Sequence, residues 1–276
     1  MNHKRILTVQ DISCVGQCSI TVALPVISAC GIETAILPSA VLSTHTGGFK
    51  GFTFRDLTDD IPLIEEHWLS EGIQFDAIYT GYLGTRRQIA LVADLFDSVS
   101  APDCLHIVDP AMADHGKLYC GFDEEFAATM AELCGKADIV LPNITEAALM
   151  TGKPFIKEGY DESYIRSLMD GMLALGAKTV VLTGVSYEKT KLGVAVLSQG
   201  DAEISYYFHE RLARSSHGTG DVFASSFTGA MMRGHDPLSA IKIAADFTVA
   251  AMKCTDESHW YGVCFEQALP SLIASL

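Results

Sequence analysis

Ser215-Ser216-His217-Gly218-Thr219-Gly220-Asp221-Val222-Phe223 is the stretch around which the rest of the chain is organised. Two glycines alternate with a small polar residue and an acid follows. Apolar residues then recur at helical spacing, at Val222, Phe223, Phe227, Ala230 and Met231. The pattern predicts a glycine turn that leads into a helix N-terminus. Unpaired backbone N–H groups and the positive end of the helix dipole make such a turn suitable for an anion.

The acid on this turn, Asp221, indicates more than anion binding. It would repel a resting phosphate, but it can take a proton from a hydroxyl that attacks that phosphate. The missing side chains of Gly218 and Gly220 let a phosphate approach the backbone closely. A base beside an anion cradle is typical of phosphoryl transfer to an alcohol. The structural alternative is an ordinary helix start, because Asp is a favoured N-cap and glycine-rich turns precede many helices that carry no chemistry.

Length and composition limit the class of protein. The chain has 276 residues, 49% of them hydrophobic, and a formal net charge of -15. We expect one domain over residues 1–276, since the sequence shows no repeat, low-complexity tract or linker. The negative charge argues against a nucleic-acid partner or an anionic membrane surface, and no apolar run reaches membrane-spanning length. Eight cysteines without Cys-x-x-Cys spacing, and no secretory pattern at the start, predict reduced thiols and a cytoplasmic location.

Short β-rich runs alternate with amphipathic runs along the chain. Strands are predicted at residues 5–9, 33–37, 77–80, 105–108, 139–141 and 179–182. Helices are predicted at residues 18–30, 60–70, 86–98, 222–233, 237–254 and 265–276. This alternation predicts an α/β fold, a three-layer α/β/α sandwich with a mostly parallel sheet covered on both faces. Residues 193–197 and 203–208 are predicted to form an antiparallel hairpin at the sheet edge.

Polar residues follow several of the predicted strands. In open α/β sheets, ligands bind beyond the carboxyl ends of the strands. The residues at these ends are Asp11, Tyr82, Asp109, Asn143, Thr183 and Gly184. We therefore expect their side chains to converge on one edge of the sheet, where the glycine turn joins them.

Two acids follow the strand at 105–108. Asp109 precedes Pro110, which keeps the chain extended, and Asp114 lies five residues further on. Either carboxylate suits Mg²⁺, directly or through water, since Mg²⁺ prefers oxygen donors and keeps several waters. An Asp-Pro turn without a ligand is the structural alternative.

The segment Pro142-Asn143-Ile144-Thr145-Glu146 has two interpretations. Asn143 with Glu146 three residues later matches a helix capping box. The functional interpretation has Glu146 hold a water on Mg²⁺ near bound phosphates. Both hold together only if the Glu146 carboxylate turns outward from its own backbone.

Hydroxyls and an imidazole are packed into a loop that ends in two glycines, Ser43-Thr44-His45-Thr46-Gly47-Gly48. The loop suits a polar heterocycle or a sugar, and a solvated turn is the alternative. His45 alone does not decide between them. The glycine-flanked segment at 114–121 suits a flap over a site.

Taken in order, these motifs resemble the pyridoxal kinases of the ribokinase superfamily over nearly the whole chain. The resembling segments are Val9-Gln10, Ser43-Thr44-His45-Thr46, Gly81-Tyr82-Leu83-Gly84, Asp109-Pro110-Ala111-Met112, Pro142-Asn143-Ile144-Thr145-Glu146 and Gly218-Thr219-Gly220-Asp221. Gly-x-Gly-Asp and Asn-x-x-Glu mark the superfamily. The His-Thr loop and the Gly-Tyr-Leu-Gly element point to the vitamin B6 branch.

The resemblance implies a role for each motif. Asp221 would be the base for the 5′-hydroxyl of pyridoxal, and the amides of Gly218, Thr219 and Gly220 would hold the γ-phosphate of ATP. The residues implied around the nucleotide and Mg²⁺ are Asp109, Asp114, Asn143, Glu146, Thr183, Gly184 and Thr219, with Asp109 and Glu146 nearest the metal. The residues implied in the vitamer pocket are Asp11, His45, Thr46 and Tyr82. The family also implies a homodimer and often a monovalent cation such as K⁺.

The chain departs from the family pattern at a few positions. Asp11 stands where many of these kinases have Ser, which leaves the contacts to the ring open. Hydroxymethylpyrimidine kinases are close relatives, but many carry Cys where Asp221 stands, so Asp221 favours a B6 vitamer. The early segment is too short for the β-sheet lid that sugar kinases of the superfamily usually insert. A kinase for another small alcohol and a non-catalytic vitamer or nucleotide carrier are the remaining alternatives.

Overall fold

A computed structural model describes residues 4–213 and 216–276 of the chain. Residues 1–3 and 214–215 lie outside the described part, including Ser215, the first residue of the glycine stretch. Statements about the structure below refer to the described residues.

The centre of the molecule is a nine-stranded sheet. Its strands are β1 (Arg5–Ser13), β2 (Glu33–Leu42), β3 (Phe54–Asp56), β4 (Phe75–Thr80), β5 (Ser100–Val108), β8 (Ile139–Val140), β9 (Thr179–Val185), β10 (Lys191–Ser198) and β11 (Ser205–Glu210). Two further strands, β6 (Ala113–Asp114) and β7 (Lys117–Leu118), form a separate hairpin. Across the main sheet the order is β11-β10-β9-β8-β5-β4-β1-β2-β3.

The six strands from β9 to β2 in this order run parallel, which confirms the expectation of a mostly parallel sheet. β10 and β11 add an antiparallel hairpin at one edge, as the sequence predicts. At the other edge β3 pairs antiparallel with β2. This three-residue strand is fully exposed and too short to show a pattern in the sequence.

Helices connect the strands. They are α1 (Ile20–Ala29), α2 (Ile61–Ser70), α3 (Arg86–Ser98), α4 (Glu124–Gly135), α5 (Ile144–Thr151), α6 (Glu162–Leu175), α7 (Thr219–Met232), α8 (Pro237–Cys254) and α9 (Leu269–Ser275), with a 3₁₀ turn at Phe265–Ala268 before α9. Several begin at a side-chain cap. The Thr85 hydroxyl accepts from Gln88 at the start of α3, and the Asp236 carboxylate accepts from Leu238 and Ser239 at the start of α8.

The sheet separates two hydrophobic cores. Helices α2 to α6 cover one face, where Ile61, Val92, Met130 and Ile165 are buried. Helices α1, α7, α8 and α9 cover the other, where Val26, Phe227, Ile241 and Leu272 are buried. Each helix offers an apolar stripe to the sheet, and the sheet strands are apolar on both faces, so the three layers bury one another.

The order of the strands in the sheet reverses at β1. β2 lies on one side of β1 and β4 on the other, so the connections after β1 leave to opposite sides. A crevice opens at such a switch point beyond the carboxyl ends of the strands. Asp11 lies near the end of β1 at this switch, and Tyr82 follows β4 beside it.

Candidate active site

The glycine turn leads directly into α7. Gly218 is the N-cap in a left-handed conformation, φ 79°, and no side chain among residues 4–213 and 216–276 caps the helix. A Cβ added at Gly218 would run into the carbonyl oxygen of Gln17, whereas one added at Gly220 would meet no protein atom within 4 Å. The first turn of α7 therefore presents its N–H groups without a capping side chain, and the space beside Gly220 is free of protein.

Asp221 is the third residue of α7 and remains partly exposed. The backbone N–H of Ser19 lies close enough to its carboxylate to lower its pKa. Burial of the carboxyl, and to a smaller extent the negative charge of Asp11, raise the pKa of Asp221 to about 7. A carboxylate with this pKa near neutral pH is suited to accept a proton.

A strained loop presents the N–H of Ser19. Gln17 and Ser19 both have positive φ, 46° and 50°, although neither is glycine. Such conformations persist only where the surrounding structure holds them. Ser19 is the N-cap of α1, but its hydroxyl makes no cap bond and donates to Asp11 instead. This loop cannot be identified from the sequence, since the residue types do not indicate positive φ at Gln17 and Ser19.

Asp11 lies in a bulge of β1, where the pairing with β2 shifts register between Gln10 and Ile12. Its side chain is 4% exposed. The Ser13 hydroxyl donates to its Oδ2 at 2.8 Å, and the Ser19 hydroxyl donates as well. Burial raises the pKa of Asp11, against the lowering by these two donors.

Tyr82 and His45 lie beside Asp11. Burial, followed by the charge of Asp11, raises the pKa of the Tyr82 phenol. His45 is held by two hydrogen bonds. Its Nδ1 accepts from the N–H of Gly47 at 3.0 Å, and its Nε2 lies 2.6 Å from the carbonyl oxygen of Tyr261, to which it donates. Burial lowers the pKa of His45, so the ring is neutral near pH 7.

The rest of the hydroxyl-rich loop differs from the expectation in detail. Thr46 is exposed, whereas the Thr44 hydroxyl is buried and finds no protein partner among the described residues. The Phe49 ring contacts Trp260, with ring centroids 4.7 Å apart, so the loop packs against a segment near the C-terminus. Thr44 is therefore a further candidate for a ligand contact that sequence reasoning missed.

Asn143 and Glu146 form the capping box of α5. The Glu146 carboxylate does not turn outward: its Oε2 accepts from the Asn143 N–H at 2.9 Å, and its Oε1 accepts from Met112 at 2.9 Å and Ala113 at 3.3 Å. A carboxylate has about four acceptor positions, so roughly one remains for a water. Glu146 thus holds the loop that follows Asp109 in place. A water-mediated contact to Mg²⁺ through that last position stays a prediction.

The carboxyl groups of Asp109, Glu146 and Asp221 lie close together at this edge, where the charges of the last two disfavour ionisation of Asp109. Burial raises the pKa of Asp109, and the charges of Glu146 and Asp221 raise it further. Burial also raises the pKa of Glu146 to about 7. A divalent cation would relieve this repulsion, so the residues fit Mg²⁺. The described residues contain no group of three or more His, Cys, Asp or Glu side chains that could hold a metal ion, so nucleotide oxygens and water would complete its coordination.

The hairpin of β6 and β7 flanks these acids. Asp114 is exposed in β6, and its Oδ1 accepts from the N–H of His115 at 2.7 Å. The Tyr119 phenol, just after β7, lies close enough to Asp109, Asp114, Glu146 and Asp221 for their charges to raise its pKa, after the larger effect of burial. Sequence reasoning placed Tyr119 in a flap without assigning it chemistry.

Thr183 and Gly184 belong to β9. The Thr183 N–H donates to the carbonyl oxygen of Pro142 at 2.9 Å, which joins this strand to the start of α5. Gly184 is exposed with φ 79°, and a Cβ added there would meet nothing within 4 Å. The Thr219 hydroxyl on α7 donates to the carbonyl oxygen of Ser216 at 3.2 Å. The space beside Gly184 is thus open among the described residues, and contacts of Thr183, Gly184 and Thr219 with a nucleotide stay a prediction from the family resemblance.

A mostly parallel sheet between two helix layers, with an acid and an open helix N-terminus at its switch point, defines a small-molecule kinase of the ribokinase-like superfamily. The chain belongs to the phosphomethylpyrimidine kinase family, whose model matches residues 24–262. No helix in the described part of the chain is long and apolar enough to cross a membrane.

Solved structures and curated relatives agree with this assignment. A protein from Bacteroides thetaiotaomicron, provisionally named a phosphomethylpyrimidine kinase and solved with pyridoxal, is 34% identical, with a TM-score of 0.92 over 98% of this chain and 96% of that one. A pyridoxal kinase from Lactobacillus plantarum is 30% identical, with a TM-score of 0.90 over 98% of this chain and 97% of that one. A pyridoxine/pyridoxal/pyridoxamine kinase from Bordetella avium is 27% identical over 263 residues, 91% of this chain and 85% of that protein.

Proposed function

We propose that this protein is an ATP-dependent kinase that phosphorylates the 5′-hydroxymethyl group of pyridoxal, pyridoxine and pyridoxamine. The single observation that carries the proposal is the position of Asp221. Its carboxyl has a pKa of about 7 and lies on the first turn of α7, whose N–H groups no side chain caps. The solved relative with bound pyridoxal and the pyridoxal kinase structure support a B6 vitamer as the alcohol.

In the proposed reaction, Asp221 accepts the proton of the 5′-hydroxyl. The hydroxyl oxygen forms a bond to the γ-phosphorus of ATP, and the bond from that phosphorus to the oxygen bridging to the β-phosphate breaks. ADP leaves with the bridging oxygen. The N–H groups at Gly218, Thr219 and Gly220 would bind the oxygens of the transferred group, where the first turn of a helix favours negative charge.

The acids at the edge of the sheet would bind the nucleotide through Mg²⁺. Asp109 would hold Mg²⁺ and its waters. Glu146 does not turn outward as that role was expected to require, so it would reach only a water of Mg²⁺, through the acceptor position that its backbone hydrogen bonds leave free. Asp114 and Asn143 would lie alongside. When bound, Mg²⁺ would neutralise charge on the ATP phosphates. Thr183, Gly184 and Thr219 would contact the nucleotide, and a monovalent cation such as K⁺ is proposed from family resemblance alone. Asp11, His45, Thr46 and Tyr82 would line the vitamer pocket.

Hydroxymethylpyrimidine is the second candidate substrate, because the family model that matches the chain carries the name of a phosphomethylpyrimidine kinase. It is also a heterocycle with a hydroxymethyl group, so the same base and anion site would serve it. A non-catalytic carrier would bind the same ligands without turnover.

A coupled assay of ADP release tests these possibilities. With Mg²⁺-ATP, we expect turnover with at least one of the three vitamers at a kcat/KM at least tenfold above that for hydroxymethylpyrimidine. The reverse order would make the protein a pyrimidine kinase. Stoichiometric pyridoxal binding without ADP release would make it a carrier.

We also propose one domain over residues 1–276, a cytoplasmic location and a homodimer. The continuous sheet from β1 to β11 supports the first, and eight cysteines without Cys-x-x-Cys spacing fit the second. The homodimer is proposed from family resemblance. Light scattering after gel filtration tests it, and a mass of one chain would contradict it.

A further inference from the structure

Asp11 is a buried acid without a cationic partner. It is 4% exposed and lies in the pocket that the proposed function gives to the vitamer. In residues 4–213 and 216–276, no lysine, arginine or histidine forms an ion pair with it. A buried charge is costly unless it is paired. The described residues therefore place no positive charge beside Asp11, and a ligand can supply one.

The hydrogen bonds around Asp11 favour its ionised form. The hydroxyl of Ser13 donates to its Oδ2 at 2.8 Å, and the hydroxyl of Ser19 donates as well. Donors of this kind stabilise a carboxylate over a carboxylic acid. Burial has the larger effect and raises the pKa of Asp11, so a ligand that brings a positive charge would stabilise the ionised carboxylate.

The titratable groups that face Asp11 from neighbouring elements supply no compensating charge. They are Cys18 from the loop before α1, His45 from the hydroxyl-rich loop, Tyr82 after β4 and Asp221 on α7. His45 is fixed as the neutral ring, because its Nδ1 accepts from Gly47 and its Nε2 donates to Tyr261. The other three are neutral or negative near pH 7.

Ser19 connects Asp11 with Asp221. Its side chain lowers the pKa of Asp11 and its backbone lowers the pKa of Asp221, so Ser19 lies beside both carboxyls. The charge of Asp11 also raises the pKa of Asp221, which brings the two acids to the same site. A vitamer whose hydroxymethyl group faces Asp221 would therefore have its ring beside Asp11.

We propose that Asp11 forms an ion pair with the protonated ring nitrogen of the vitamer, so that the pocket selects a pyridinium and discriminates against rings that carry no positive charge. This rests on the proposed function for the identity of the ring. Asp11 would then determine which protonation state of the substrate the pocket binds.

The test compares pyridoxine with its carbocyclic analogue, in which CH replaces the ring nitrogen while the hydroxymethyl and phenol groups remain. For the wild-type protein we expect kcat/KM for pyridoxine to be on the order of 10²-fold higher, as for loss of one partner of a buried charge pair. Asp11→Ser and the isosteric Asp11→Asn should reduce this preference to below about tenfold by lowering kcat/KM for pyridoxine only. Equal kcat/KM for the two rings with wild-type protein, or an equal loss for both in the variants, would overturn the proposal.

A binding measurement separates this proposal from the proposed kinase activity. We would titrate the wild-type protein with pyridoxine by calorimetry in buffers of different ionisation enthalpy, at a pH above the pKa of the free ring nitrogen. Uptake of about one proton per bound ligand is expected for a pyridinium held by a carboxylate. Absence of proton uptake contradicts the role of Asp11 even if turnover is observed. Uptake without turnover leaves that role intact and rejects the kinase.

Discussion

The backbone N–H of Ser19 approaches the carboxylate of Asp221, so the loop before α1 and the first turn of α7 meet at one acid. This contact lowers the pKa of Asp221 while burial raises it, and burial has the larger effect. The result is an acid with a pKa of about 7, held by the backbone on one side and open towards the crevice on the other. The relationship explains why the loop before α1 and the start of α7 are both needed to shape the environment of Asp221.

Asp221→Asn should lower the activity and, at pH 8, raise the stability of the protein. Without the base, kcat should fall by about 10²–10⁴-fold. The folded-state pKa lies above that of an unfolded aspartate, so the contribution of Asp221 to stability is present below about pH 4 and is lost as pH rises through about 7. At pH 8 the variant should therefore be more stable than the wild type by about 1–3 kcal/mol in urea unfolding. Asp170→Asn, an exposed acid paired with Arg166, is the control and should change neither quantity.

The acid limb of the pH–rate profile should report Asp221. Because the base acts only when ionised, kcat/KM for the vitamer should rise with pH around a midpoint near 7. Removing the charge of Asp11 removes one of the causes that raise this pKa. Asp11→Asn should therefore move the midpoint down, by about one pH unit or less. A midpoint that stays in place, or moves upward, would show that Asp11 does not act on the base.

Gly218 and Gly220, two positions apart, should respond in opposite ways to substitution by alanine. Gly220→Ala meets no protein atom within 4 Å and replaces glycine with a better helix former, so the melting temperature should be unchanged or higher. Its methyl group would occupy space proposed for the phosphate, and kcat should fall at least tenfold. Gly218→Ala forces a side chain into φ 79° and against the Gln17 carbonyl, so it should unfold at lower temperature. Full activity of Gly220→Ala would mean that no phosphate approaches there.

Most strands of the sheet, and the ends of the helices that begin at side-chain caps, can be predicted from the sequence. The helices predicted at 86–98 and 237–254 match α3 and α8 because Thr85 and Asp236 are side-chain caps that can be read from residue type. The strand predicted at 5–9 continues as β1 to Ser13 through a bulge at Asp11, which alternation alone does not reveal. The helix predicted at 265–276 is a 3₁₀ turn followed by α9, since Pro270 lies at the start of the α-helix.

The site is less predictable than the fold for a physical reason. Residues such as Asp109 and Asn143 follow strands, and the topology brings strand ends together, so sequence order is enough to find them. Ser19 acts through its backbone N–H, and Tyr119 lies near the acids only because a hairpin of two short strands folds over them. Contacts of this kind depend on tertiary packing and leave no residue pattern.

Tyr119→Phe tests the hairpin. Its hydroxyl is a neutral donor among four acids, so we expect it to hydrogen-bond a phosphate oxygen of ATP. Loss of one hydrogen bond to a charged group should raise KM for ATP about tenfold or more and leave KM for the vitamer within about twofold. The matched control is Tyr187→Phe. Tyr187 is 40% exposed against 43% for Tyr119, and its hydroxyl lies 3.0 Å from that of Tyr206. An unchanged KM for ATP in Tyr119→Phe would remove the hairpin from the nucleotide site.

Asp109 should couple nucleotide binding to Mg²⁺. Because no described group of three side chains forms a metal site, Mg²⁺ alone should bind weakly and raise the melting temperature little, whereas Mg²⁺ with ADP should raise it clearly. In wild-type protein we expect Mg²⁺ to tighten ADP binding at least tenfold by calorimetry, because the cation relieves the repulsion among Asp109, Glu146 and Asp221. Asp109→Asn reduces that repulsion and should bring the effect of Mg²⁺ on ADP affinity below about threefold.

The control for this experiment is Asp138→Asn, just before β8, at the amino end of the parallel strands and so at the opposite edge from Asp109. Asp138 is already paired, since its Oδ1 lies 2.6 Å from Nζ of Lys178, and its charge has a cation without any nucleotide. The variant should therefore keep the full effect of Mg²⁺ on ADP affinity. If Asp138→Asn and Asp109→Asn lose that effect equally, general charge rather than position governs Mg²⁺ binding. If neither loses it, the cation is held by the nucleotide alone, and the repulsion among Asp109, Glu146 and Asp221 must be relieved by protons rather than by metal.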